Sequence, residues 1–185
     1  VELENAVLLF DYFKGTLPEF PAGKPLFIFA SHFHADHYDP VIFQLGEKRE
    51  NVFYILSKEI GKKIPEEYRK RYKDRMRLVK AGERFCLNIS EESLIVETFH
   101  STDEGVAFWL SCEGKEIYHA GDLNNWWWEG EDMAWNRNMA ASYKQEMKKL
   151  SGRTADLAFI PVDPRLEQWF YLGAAGCMEQ ADTKW

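Results

Sequence analysis

Cysteine is scarce in this chain of 185 residues, with only Cys86, Cys112 and Cys177, odd in number and widely spaced. A disulfide framework needs paired cysteines at regular spacing, so a small stapled scaffold is excluded and reduced thiols in a cytoplasmic setting are expected. Long hydrophobic runs are missing as well. No uninterrupted apolar stretch approaches the roughly 18 residues of a membrane helix, so no membrane span is expected. Positive charge is in deficit, since 23 Lys and Arg against 30 Asp and Glu leave a formal net charge of −7. Phosphate backbones are held largely by Lys and Arg, which argues against a nucleic-acid partner. The one basic run, Lys62 to Arg75, is interrupted by Glu66, Glu67 and Asp74 and reads as a solvated helix face. Repeats, low-complexity segments and internal linkers are absent.

What is present is a chain of single-domain length, 45% hydrophobic and 29% charged, with seven Trp, eight Tyr and thirteen Phe. That many rings can line a cleft as well as fill a core. Val7-Leu8-Leu9-Phe10 predicts a strand, and Pro25 to Ala30 a second one buried on both faces by its continuous hydrophobicity. Asp39 then predicts a helix N-cap with Pro40 in the first turn, ahead of Val41 to Leu45. Asn51 to Ser57, Arg77 to Lys80, Arg84 to Leu87 and Leu94 to Phe99 read as strands, and Pro65 to Arg75 as a charged helix. Gly105 to Ser111 and Lys115 to Ala120 are joined by Cys112-Glu113-Gly114, a hairpin signal. Met133 to Leu150 favours a helix, Asp156 to Pro161 one more buried strand, and Gly173 to Gln180 a last helix.

The densest chemistry follows the second strand. In Ser31-His32-Phe33-His34-Ala35-Asp36-His37, three of the chain's five histidines fall within six residues beside a carboxylate. Neutral imidazole is the commonest metal ligand, and alternation in an extended loop aims His32 and His34 at one ion, leaving Asp36 and His37 for another. His100 ends a strand and is free to project into a site at the sheet edge. His119 lies inside a strand and reads as a core or supporting histidine, because alternation turns it away from Asp122.

The loop resembles the His-X-His-X-Asp-His signature of the metallo-β-lactamase superfamily. That resemblance implies an α+β fold, the αββα four-layer sandwich, with a one- or two-metal centre at the sheet edge. It implies His32, His34 and His100 around one ion, and Asp36, His37 and Asp122 around the other, with Gly121-Asp122 supplying the bridging carboxylate. Family members usually carry one more histidine after the last core strand, and an opening strand ahead of a segment such as Val1 to Asp11. Neither is found, so 1–185 is expected to be a single domain trimmed of its first and last strands.

Zinc suits a histidine and carboxylate set, with manganese or iron as rivals. The expected activity is hydrolysis of a small-molecule ester, lactone, amide or phosphodiester by a metal-bound hydroxide, with Asp36 steering its proton. Tyr-His-Ala-Gly-Asp and His-Ser-Thr-Asp-Glu-Gly look most like the sugar-phosphate lactonase branch. Two alternatives stand beside it: a non-catalytic metal-binding or interaction domain, and a nuclease. A homo-oligomer is compatible with all three. Trp126-Trp127-Trp128 follows Asp122 closely, as an aromatic wall over a substrate or as packing for the next helix.

Overall fold

Continuous apolar runs near the N-terminus become the strands of a parallel sheet. In the computed structural model, which describes residues 1–89 and 92–184, β1 (Val7–Phe10), β2 (Leu26–Ala30), β3 (Val52–Ser57) and β4 (Met76–Val79) pair in that order, every neighbour parallel. Parallel pairing requires crossovers, and helices supply two of them. α1 (Ile42–Glu47) joins β2 to β3, and α2 (Glu66–Arg71), flanked by 3₁₀ turns, joins β3 to β4. All four carboxyl ends therefore leave the sheet on one edge, where Asp11, Ser31, Lys58 and Lys80 follow their strands.

The second sheet is mostly antiparallel. β5 (Arg84–Ile89), β6 (Glu92–His100), β7 (Val106–Cys112) and β8 (Lys115–His119) meander, and the short β10 (Leu157–Phe159) adds in parallel beside β8. β7 turns into β8 through Glu113 and Gly114 at φ 53° and 68°, the double positive φ that a tight two-residue hairpin demands. α3 (Met133–Met147) is capped by Asp132, whose carboxylate accepts the Ala134 and Trp135 amides. β9 (Thr154–Ala155) pairs in parallel with β11 (Asp182–Thr183), with α4 (Leu172–Met178) between them in sequence.

Period-two alternation sorts the side chains into three cores. Phe27 and Phe29 of β2 meet Val96, Phe108, Leu110 and Ile117 of the second sheet. Leu26, Ile28 and Ala30 point the other way, onto Ile42, Phe43, Tyr54 and Tyr72. Ala107, Trp109 and Tyr118 of the second sheet pack on Tyr143, Met147, Leu150 and Cys177. Two sheets thus face one another and each is covered outside by helices. Each fully buried large side chain contributes roughly 1.5–3 kcal/mol, so Phe27 and Phe29 hold the histidine-bearing strand firmly in place.

Three local expectations shift. α1 begins at Ile42 because Asp39 caps a preceding turn instead, its carboxylate accepting the Val41 amide at 2.7 Å. The charged helix stops at Arg71 because Tyr72 leaves helical geometry (φ −105°, ψ 18°) to bury its ring completely against Phe43 and Tyr54. The segment 156–161, expected as a buried strand, is a half-exposed edge strand with Phe159 40% exposed. Cys112 and Cys177 are buried and Cys86 is exposed. Among the described residues, no helix is long and apolar enough to cross a membrane.

Candidate metal centre

The site begins where β1 and β2 end side by side. Parallel register places Asp11 next to Ser31, and the Asp11 carboxylate accepts the Ser31 amide at 2.7 Å and the Ser31 hydroxyl at 2.7 Å. It also accepts the His37 Nδ1 proton at 2.7 Å. Because the Ser31 hydroxyl donates to Asp11, its oxygen is left to accept from His32 Nδ1, 3.0 Å away. One largely buried carboxylate therefore orients two histidines with Nδ1 as the donor, so that each neutral ring carries its lone pair on Nε2. Both Nε2 atoms face Asp122.

Asp122 divides its two oxygens between two groups. Oδ2 lies 3.6 Å from His32 Nε2, and His32 Nε2 lies 2.9 Å from His34 Nδ1. Oδ1 lies 3.3 Å from His37 Nε2, which is 3.7 Å from Asp36 Oδ2. His32, His34, Asp122 and Asp103 each present a ligand atom within 4.8 Å of all the others. An N to N approach of 2.9 Å between imidazoles needs a proton or a cation between them, because two bare lone pairs repel.

Electrostatics point the same way. Burial, with the neighbouring His37 and His34 adding to it, pushes His32 down to about 4 against the pull of Asp11, so it is neutral at physiological pH. Burial raises Asp122, and Asp103, Asp36 and Asp11 crowd it further against the opposing pull of His37. His37 moves up: burial opposes, but the Asp11 hydrogen bond and the charges of Asp11, Asp122 and Asp36 outweigh it. Carboxylates converging on a neutral His32 and favouring the charged form of His37 make a site that could hold a cation, a proton on His37 when empty or a metal ion when loaded.

His100 is not brought into this group. Its ring is exposed and lines an adjoining cleft with Asn138, Ser142, Gln145 and Glu146, and its amide donates to Glu146 at 3.2 Å. The loop after it is short and folds back on itself, so its tip, Asp103, reaches the histidines while its base does not; Asp103 lies 3.7 Å from His34. Gly105 closes that loop against Ser31. A Cβ there would stand 2.0 Å from the Ser31 carbonyl oxygen, and φ is +73°. Gly121 presses from the other side, where a Cβ would stand 2.7 Å from Ser31 Cβ. His119 lies half-buried beside the site, stacked on Phe10 at 4.8 Å, with Nδ1 accepting the Gly121 amide and Nε2 3.9 Å from Asp11.

A cavity of about 380 Å³ opens over the cluster, lined by His34, Asp36, Asp103 and Asp122 below and by Trp126, Trp128, Trp135, Met139 and Arg165 around it. Trp126 donates its indole proton to the Asp122 carbonyl at 2.9 Å and stacks in parallel with Trp128 at 6.2 Å. Trp127 turns away to pack on Trp169 at 5.6 Å. The tryptophan run thus serves as cavity wall and as packing at once. Asp11, Asp103 and Arg165 were missed by sequence reasoning. Asp11 had a signal, since it closes the first apolar strand as Ser31 closes the second; Asp103 lay in the quoted His-Ser-Thr-Asp-Glu-Gly stretch.

No family model matches this chain, and no curated protein matches it in sequence. Among solved structures, a crystal structure of a protein of unknown function from Enterococcus faecalis V583 is similar with a TM-score of 0.41 and 17% identity. The match covers 85% of this chain and 36% of that one, so the chain spans well under half of that protein's length.

Proposed function

We propose that this chain is a metal-dependent hydrolase of the metallo-β-lactamase type, carrying zinc in two adjacent positions and acting on a small molecule. The observation that carries this reading is the division of the Asp122 oxygens, one toward His32 and His34 and one toward His37 and Asp36. Two facing sheets clad in helices, with the cluster at the sheet edge, support the αββα sandwich of that superfamily. Asp103 is the fourth donor of the first position.

The residues fit the metal: His32 is neutral, two tautomers are fixed with Nε2 inward, and the converging acids need a counter-charge. When bound, zinc lowers the pKa of water toward neutrality and polarises a substrate oxygen. The chain does the rest. Asp36, 72% exposed at the cavity rim, takes up a proton at its carboxylate and hands it to solvent. Trp126, Trp128 and Trp135 exclude water from one side and hold the apolar body of the substrate over the cluster. The three thiols stay reduced in a cytoplasmic protein.

Metal analysis of the purified protein, with a panel of lactone, thioester, phosphodiester and β-lactam substrates, tests this. About two equivalents of zinc and chelator-sensitive turnover are expected. Absence of bound metal overturns the proposal outright, and bound metal without turnover on a wide panel reduces it to a metal-binding domain.

A further inference from the structure

The cavity over the cluster has one cationic side chain in its lining, Arg165. An exposed arginine ordinarily samples many rotamers; this one is held. Asp163 precedes Pro164, which fixes φ, and the Asp163 carboxylate accepts the Arg165 amide at 2.9 Å. The same carboxylate accepts Arg165 Nε at 2.8 and 3.0 Å and Nη2 as well. The guanidinium lies 5.9 Å from the Trp128 ring centre, within the range of a cation–π contact.

The segment that carries it is itself tied to the tryptophan loop. Trp169 packs on Trp127, and Gln168 donates to Glu129 at 3.2 Å. Glu167, between Arg165 and Gln168, sits at φ 51°, ψ −122°, a conformation that costs a non-glycine residue of order 1–3 kcal/mol and is kept only where surrounding contacts over-determine it. With Nε and one Nη2 proton engaged by Asp163, the two Nη1 protons and the remaining Nη2 proton are left on the outer edge of the guanidinium. A planar, pre-oriented pair of donors matches an oxyanion bidentately.

We infer that Arg165, positioned by Asp163 and Trp128, is an oxyanion subsite of this cavity, selecting substrates that carry a carboxylate or phosphate on an apolar or aromatic body. This rests on the cavity being the reaction site proposed above. The exposed position of Arg165 makes the contribution salt-dependent, and the apolar wall lets the body of the substrate keep contact when salt screens the charge.

Benzenesulfonate is a suitable probe because sulfonate is a poor zinc ligand and the ring suits the indole wall; benzyl alcohol is its uncharged counterpart. In zinc-loaded protein at low salt, benzenesulfonate is expected to shift the Trp128 indole proton saturably, with that resonance assigned from Trp128→Phe. Arg165→Gln should weaken the probe at least tenfold and Arg165→Lys less, since charge survives without the fork. Asp163→Asn should weaken it by releasing the guanidinium. Unchanged affinity in Arg165→Gln, or benzyl alcohol binding as tightly as the sulfonate, overturns the inference; Arg165→Lys keeps the test open if Gln fails to fold. Zinc content of the same sample keeps the two readings apart. A metal-free protein that still shows Arg165-dependent shifts removes the hydrolase reading and leaves the subsite.

Discussion

Replacing Asp11 by Asn removes one negative charge and turns one acceptor into a donor where three donors converge, each at 2.7 Å. The Asn carbonyl can satisfy the Ser31 amide, but its NH₂ then faces the Ser31 hydroxyl and His37 Nδ1, both of which donate in the native arrangement. The cheapest repair rotates the Ser31 hydroxyl toward His32 Nδ1 and moves the His37 proton to Nε2. Each change puts a proton on an atom that would bind metal. A lost supporting partner costs 10–100-fold in metal affinity. Two ligands are affected here, so the upper end is expected: roughly 100-fold, or about 2.7 kcal/mol. Zinc affinity by chelator competition reads the loss, and long-range nitrogen–proton NMR of the histidine rings in metal-free protein reads the tautomers. Folding stability should fall too, by roughly 1.5–3 kcal/mol for a charge-assisted hydrogen bond, and denaturant titration corrects for it. Wild-type affinity together with native tautomers in Asp11→Asn would refute the reasoning.

Asp103→Ala is expected to weaken zinc at one position by roughly tenfold or more, whereas His100→Ala leaves zinc affinity within about twofold; the reverse order would return His100 to the ligand set and expel Asp103. Gly105→Ala combines positive φ with a Cβ 2.0 Å from the Ser31 oxygen, and should cost roughly 3 kcal/mol or more in urea unfolding. Gly82→Ala is its control, with φ +80° and nothing within 4 Å of the added carbon, and should cost only about 1 kcal/mol. Equal losses in the two would show that the Ser31 contact imposes no constraint.

Sequence by itself determined the local parts of this protein. The strand Leu26–Ala30 and the histidine loop at its end were legible because continuous hydrophobicity and dense imidazoles are signals carried within a dozen residues. The β7–β8 hairpin was legible for the same reason, through Glu113-Gly114. Tertiary structure alone decided which distant groups meet that loop. Asp11 lies 20 residues before Ser31 and reaches it through parallel register. Asp103, and not His100, comes within reach of the histidines because a folded-back loop brings its tip forward, and Arg165 lies at the cavity because Trp169 and Gln168 pack its turn against the tryptophan run. Such contacts join residues far apart in the chain, so no period or spacing announces them; they exist only once burial of Phe27, Phe29 and their partners has fixed the sheets face to face.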